Sequence, residues 1–223
     1  TALGGSNLES ETEALAEFSE SVRLRAAGID NAEGKQRVIT ELYEKFFRLA
    51  FPRSADALGI VYTPTEIVDF ILRSVNDLLV TEFGTTISAP GVHVLDPFTG
   101  TGTFITRLLA SGLIAPEDLA RKFTSELHAN EITLLAYYIA AANIEATYHD
   151  LTAPFAADAV APASADPRAW VPFDGIVLAD TFQMSEHEDV LDGLVFRTNS
   201  ERAERQLDLD IRVIVGNPPY SVG

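Results

Sequence analysis

Cysteine is absent from this chain of 223 residues. That excludes disulfides and thiolate metal ligation, and it fits a reducing, cytoplasmic compartment. Long apolar runs are absent as well. No uninterrupted stretch approaches the ~20 residues that span a bilayer, and the start carries no secretory pattern, so no membrane partner is expected. Basic residues are scarce: Lys and Arg number 16 against 33 Asp and Glu, a formal net charge of −17. Phosphate binding is built on Lys and Arg, so this chain is not expected to be a principal nucleic-acid surface. The four histidines, His93, His128, His149 and His187, lack ligand-like spacing, and no metal is expected. The turn Thr99-Gly100-Thr101-Gly102 has no lysine after it, which excludes a P-loop. Ile105 stands where a dinucleotide fingerprint needs its third glycine.

What is present is 47% hydrophobic residues, enough to bury a sizeable core as one domain plus an appendage. Helical periodicity predicts helices from about Asn7 to Ala27 and from about Lys35 to Leu49. A third opens after Thr63-Pro64 and carries Ile67, Phe70, Ile71, Val75 and Leu78. The texture then changes. Short apolar runs at 92–95, near 123–129, at 175–179 and at 211–215 read as strands. Between them come a helix through Leu109, a long apolar helix from Glu131 to about Tyr148, and a helix opening at Asn199 or Ser200. The Ala-, Pro- and Asp-rich stretch from Ala153 to Pro172 reads as a surface excursion. Arg202 and Arg205 are expected to pair with Glu201 and Glu204 rather than to reach a nucleic acid. Alternating strands and helices predict an α/β fold with a parallel sheet.

Ligands of such sheets gather beyond the carboxyl ends of the strands. Those ends carry Asp96 with the Gly100/Gly102 loop, Glu131, Asp180, and finally Asn217-Pro218-Pro219-Tyr220. A glycine turn ringed by carboxylates suits a ligand that is cationic and rich in OH and NH₂ groups, as S-adenosylmethionine is. The terminal tetrapeptide suits a second ligand. An amide oxygen and a carbonyl accept hydrogen bonds from an exocyclic NH₂, two prolines stiffen the turn, and Tyr220 offers a face for a planar ring.

The series Val61-Tyr62-Thr63-Pro64, Asp96-Pro-Phe98-Thr-Gly100-Thr-Gly102-Thr-Phe104, Asn130-Glu131-Ile132, Ala179-Asp180-Thr-Phe182 and Asn217-Pro-Pro-Tyr220 resembles the motif order of gamma-class adenine-N6 DNA methyltransferases. It is similar in particular to the methyltransferase part of type ISP single-chain restriction–modification enzymes, from about Lys35 to the end. The resemblance implies a Rossmann-like AdoMet-dependent methyltransferase core, with S-adenosyl-L-methionine as cofactor. It implies that Tyr62, Thr63 and Pro64 line its methionine end. Asp96, Phe98, Gly100 and Gly102 would form the loop beneath it, with Asp96 near the ammonium. Glu131 would take the ribose hydroxyls, Ile132 would lie against the adenine, and Asp180 would accept from the adenine amino group with Phe182 nearby. The family often has an aromatic directly after this Asp, where Thr181 stands here. Asn217 and Pro218, with Pro219 stiffening the turn, would grip the N6 amino group of a flipped adenine stacked on Tyr220. The implied partners are double-stranded DNA and helicase and nuclease domains of the same polypeptide.

The chain starts at Thr1 and stops three residues after Tyr220, and it is expected to be a piece of a longer protein. Residues 1–54 are expected as a helical coupler. Residues 55–223 are expected as the N-terminal part of a methyltransferase domain, without its C-terminal strands or target-recognition domain. Such a piece is expected to be inactive alone and to bind DNA poorly. A protein-glutamine N5-methyltransferase remains an alternative, since an amide NH₂ can be gripped in the same way. So does a catalytically silent AdoMet-binding coupling module.

Overall fold

In the computed structural model the described residues are 63–158, 170–182, 184 and 197–219, without the side chains of 154–158 and 197. The two N-terminal helices expected from periodicity, together with Tyr62 and Tyr220, lie outside them. The described residues belong almost wholly to one compact unit, Tyr62–Pro218.

The first described helix, α1 (Thr65–Phe83), starts at Pro64, whose carbonyl receives the N–H groups of Ile67 and Val68 at 3.0 and 3.1 Å. It ends at Gly84, which takes the left-handed conformation (φ 62°) and returns its N–H to Leu79. The apolar positions picked out by periodicity divide. Ile71 and Val75 pack against the core, but Ile67, Phe70 and Leu78 are exposed, and the buried stripe is Val68, Leu72 and Leu79. Apolar residues cover more than one face of this helix, so their spacing alone does not say which face meets the sheet.

Strand β1 (His93–Asp96) leads through the glycine loop to α2 (Thr103–Ala110). A short 3-10 turn (Pro116–Asp118) and α3 (Leu119–Arg121) follow. Next comes a π turn, Lys122–Glu126, and then β2 (Leu127–Glu131). The second strand was expected near Phe123, yet the chain there is helical, and the cause is a buried lysine. Lys122 is fully buried, and its ammonium donates to the carbonyls of Ala89 (3.0 Å) and Val92 (2.8 Å) while pairing with Glu126 at 2.8 Å. Only a helical turn brings a carboxylate four residues on back over the lysine. Burial pushes the Lys122 ammonium down. Burial alone would raise Glu126, but Lys122, the Gly91 N–H and Arg121 outweigh it and hold this carboxyl below its usual range.

Helix α4 (Leu134–Asp158) opens after Glu131 and runs well past Tyr148, so Ala153 to Asp158 are helical rather than loop. Tyr148 stacks on Phe123, ring centroids 3.8 Å apart, and Phe123 meets Phe173 at 5.3 Å. Beside this cluster the sole tryptophan, Trp170, is exposed, stacked on His149 at 4.2 Å, and donates to Glu145. Strand β3 (Ile176–Leu178) precedes α5 (Arg197–Leu207), which begins slightly earlier than expected. Asn199, expected at its start, instead exchanges two hydrogen bonds with the backbone of Leu178 at 2.8 and 2.9 Å. Arg202 pairs with Asp174 and donates to the Tyr137 hydroxyl. Strand β4 (Ile211–Ile214) completes the described sheet.

The described strands form one parallel sheet in the order β3-β2-β1-β4, with Val94 opposite Leu127, Asp96 opposite Ala129 and Glu131 opposite Leu178. The expected α/β fold with a partial parallel sheet is therefore observed. Helix α2 packs between α1 and α4, and α5 against β3. Arg107 of α2 ties α1 by a two-pronged pair with Asp69, at 2.8 and 2.6 Å. No helix among the described residues is long and apolar enough to cross a membrane.

His128 in β2 lies 3.0 Å from His93 in β1, ring nitrogen to ring nitrogen, with the rings stacked. Burial, and then the neighbouring His93, push His128 down to about 4, against a smaller opposing pull from Glu126. The unfolded chain then takes up this proton near pH 6.5 and the folded chain only near 4. Stability contributed by neutral His128 should be complete above pH 6.5 and lost as pH falls to about 4. Urea melts of wild type and His128→Gln across pH 4–7 test this: the variant's stability should fall less over that interval, and parallel curves would refute it.

Candidate active site

The carboxyl ends of β1, β2 and β4 converge on one buried carboxyl group. Asp96 is the last residue of β1 and is wholly inaccessible to solvent. Its Oδ1 accepts the Phe98 N–H at 3.2 Å, while Oδ2 has no hydrogen-bond partner. Burial pushes this carboxyl up to about 8, the nearby Glu131 adds to the rise, and the Phe98 N–H opposes it. An unpaired buried charge is costly, which favours the protonated form of this carboxyl.

The loop that follows is shaped by its neighbours. Thr99 donates its hydroxyl to the Asp96 carbonyl (2.9 Å) and its N–H to the Asn130 carbonyl (2.9 Å), so the loop is anchored to both central strands. Gly100 and Gly102 both have positive φ, 56° and 90°, a region that side chains rarely adopt. A Cβ on Gly102 would also stand 3.2–3.3 Å from Ile144 and Ala140 of α4.

Glu131 ends β2 and is nearly buried. Its Oε2 accepts the Gly100 N–H at 2.9 Å, and its Oε1 accepts both the N–H (2.8 Å) and the hydroxyl (2.7 Å) of Thr133. Burial raises its carboxyl, and these bonds resist that rise. Among the described residues no lysine or arginine pairs with Asp96 or Glu131. Ile132, next in sequence, is exposed.

Beyond β3, Asp180 accepts the Phe182 N–H at 3.0 Å. Thr181, the residue that departs from the family pattern, donates its hydroxyl to the Pro97 carbonyl at 2.6 Å. Phe182 then meets the Phe98 ring at 5.3 Å. Asn130 Nδ2 reaches the Met184 sulfur at 3.2 Å. The segment after β3 is thus tied to the glycine loop. Beyond β4, the Val215 N–H donates to Leu95 at 2.9 Å. Gly216 passes so close to Asp96 that an added Cβ would lie 2.7 Å from Oδ1. Asn217 follows directly, with Pro218 and Pro219 exposed.

Asp96, Phe98, Gly100, Gly102, Glu131, Phe182 and Asn217 are therefore brought together, with Asp180 on the same segment as Phe182. Thr63 and Pro64 lie at the start of α1. Sequence reasoning missed Gly216, Thr133 and the hydroxyl of Thr181. A glycine directly before Asn-Pro-Pro-Tyr and a threonine two places after a strand-end glutamate were the available signals.

A parallel sheet with its glycine loop after the central β1 and carboxylates at successive strand ends defines a Rossmann-like ligand-binding unit. Solved structures similar to it are type ISP restriction–modification enzymes. LlaBIII bound to DNA matches at 50% identity and TM-score 0.77, over 96% of this chain and 14% of that one. A nuclease-deletion mutant of LlaGI in complex with a DNA substrate mimic matches at 48% and 0.75, over 100% and 17%. The DrdV–DNA complex matches at 42% and 0.75, over 87% and 17%. The chain corresponds to one segment of the type ISP restriction–modification enzymes, spanning about a sixth of their length. No family model and no curated protein matches it.

Gly216→Ala should destabilise the fold by about 1–3 kcal/mol, the usual cost of forcing a group into filled space, because the new methyl must displace Asp96 or the end of β4. Chemical denaturation reads this directly, and an unchanged midpoint would contradict the contact.

Proposed function

We propose that this chain is the N-terminal part of a methyltransferase domain that modifies the N6 amino group of adenine in double-stranded DNA, within a restriction–modification polypeptide. On this reading residues 1–54 couple it to the helicase and nuclease domains. The observation that carries the proposal is the contact of Gly216 with Asp96. It sets a buried carboxyl with one oxygen unpartnered beside an Asn-Pro-Pro turn, so a cationic ligand and an amine-bearing ligand would meet there. The DNA complexes of the matched type ISP enzymes support the choice of substrate.

The residues fit S-adenosylmethionine. Asp96 Oδ2 lacks a donor that the methionine ammonium would supply, Glu131 suits the ribose hydroxyls, and the exposed Ile132 suits the face of the adenine. Asp180 would accept from the adenine amino group. Thr63 and Pro64, with Tyr62, would border the methionine end. Bound there, the cofactor supplies an electrophilic methyl group. On the other side Asn217 and the Pro218 carbonyl would accept both hydrogens of a flipped base's NH₂, with Tyr220 stacking on the ring. Flipping is needed because the target nitrogen lies inside the duplex. Two acceptors draw that nitrogen toward a tetrahedral shape and free its lone pair, so catalysis rests on positioning and electrostatics.

Asn217→Ala in the full-length protein should reduce methyl transfer by about 10²-fold or more, a loss typical of removing a group that stabilises the transition state. Binding of S-adenosylhomocysteine should change little. Near-normal turnover would overturn the assignment, and transfer to a glutamine-bearing peptide instead of DNA would replace the substrate.

A further expectation follows from Asp96. Its carboxyl, held at about 8 without a counter-ion, must ionise to pair with an ammonium. Binding of S-adenosylhomocysteine near pH 7 should therefore release close to one proton, and affinity should climb as pH rises toward 8. Calorimetry in two buffers of different ionisation enthalpy measures the proton count, and a count of zero would refute the pairing.

A further inference from the structure

Glu131 is nearly buried, yet the site needs it ionised and correctly turned. Its two oxygens are not treated alike. Oε2 receives one donor, the Gly100 N–H, whereas Oε1 receives two, both from Thr133, at 2.8 and 2.7 Å. Thr133 is also the residue whose carbonyl receives the Tyr137 N–H at 2.9 Å, opening α4. A threonine at a helix start ordinarily serves the helix through its side chain. Here the hydroxyl donates backward to the carboxylate. With backbone N–H and hydroxyl on one oxygen, the carboxylate cannot rotate without losing both bonds. Three of the roughly four lone-pair positions that the two oxygens offer are then filled by protein donors, and the remaining one is on Oε2.

We infer that Thr133 is a positioning residue for this site: its hydroxyl keeps the Glu131 carboxylate charged and turned so that Oε2 can accept a ribose hydroxyl. This rests on the reading of the site as one for an adenosyl cofactor, whose ribose supplies that hydroxyl. Two physical effects act together. A hydroxyl donor stabilises the charged form against the burial that favours the neutral one. The fixed orientation lowers the cost of ordering when a hydroxyl binds. A protonated or rotated carboxyl would offer one acceptor fewer, and the ligand would lose a charge-assisted bond. The Thr133 N–H remains in any variant, so removing the hydroxyl isolates the side chain's part.

The test is calorimetric titration of the full-length protein with S-adenosylhomocysteine and with its 2′-deoxy analogue. Thr133→Val removes the donor at nearly constant volume, and Thr133→Ala removes it without a second methyl. Thr133→Ser keeps it. Wild type should prefer the ribose ligand. Both hydroxyl-free variants should lose about tenfold in affinity for it, the scale of one hydrogen bond to a charged group, and much less for the 2′-deoxy analogue. The loss should grow as pH is lowered, because Glu131 without this donor takes up a proton more readily. Thr133→Ser should recover most of the affinity. Equal losses for both ligands, or none, would overturn the inference while leaving the adenosyl site standing. A wild-type chain that binds neither ligand would overturn both.

Discussion

A carboxyl group with no counter-ion, shut away at the end of the central strand, sets the terms for everything around it. Asp96 is inaccessible, one of its oxygens has no partner, and its neighbour Glu131 is also a buried acid. The fold tolerates this because the surrounding segments are shaped to the group. Thr99 anchors the loop to both central strands. Gly216 gives up its side chain so that the end of β4 can lie against the carboxyl. Ionising the group there without a partner would be costly.

The two ends of the sheet divide the work. At the amino ends of β1 and β2, Lys122, Glu126 and Arg121 form a saturated network. Each charge has an opposite partner, and the lysine's hydrogens are met by two carbonyls and a carboxylate. At the carboxyl ends Glu131 is met by three donors, but Asp96 keeps one oxygen without any. Buried charges of the first kind stabilise a single arrangement of the chain, and breaking one partner is strongly destabilising. The second arrangement leaves an acceptor open at that end of the sheet.

Much of this was legible beforehand, for reasons that can be named. Glycine and acidic residues at strand ends announce themselves because ligand chemistry there needs those residue types. Apolar runs between them mark buried parallel strands, and three of the four strands lie within a residue or so of where they were expected. The misplacements have specific causes. Phe123 is as buried as a strand residue, but the ammonium of Lys122 required a helical turn there. On α1 two apolar stripes compete, and only packing against the sheet selects Val68, Leu72 and Leu79 over Ile67, Phe70 and Leu78. The Gly100 partner of Glu131 was illegible for another reason: it lies far away in sequence, and contacts of that kind exist only once two strands pair.

The stacking of Trp170 on His149 has a practical consequence for watching this protein. It is the only tryptophan in the chain, and it sits just before β3, at the opposite end of that strand from Asp180. Its indole is held by Glu145 of α4, beside the aromatic cluster of Phe123, Tyr148 and Phe173. Intrinsic emission excited at the indole band is thus a local optical gauge of whether α4 remains docked near β3. Because the fluorophore is remote from the carboxyl ends of the strands, a ligand settling there leaves its surroundings intact. A change in emission during a titration would report loosening of the scaffold rather than occupancy of the site.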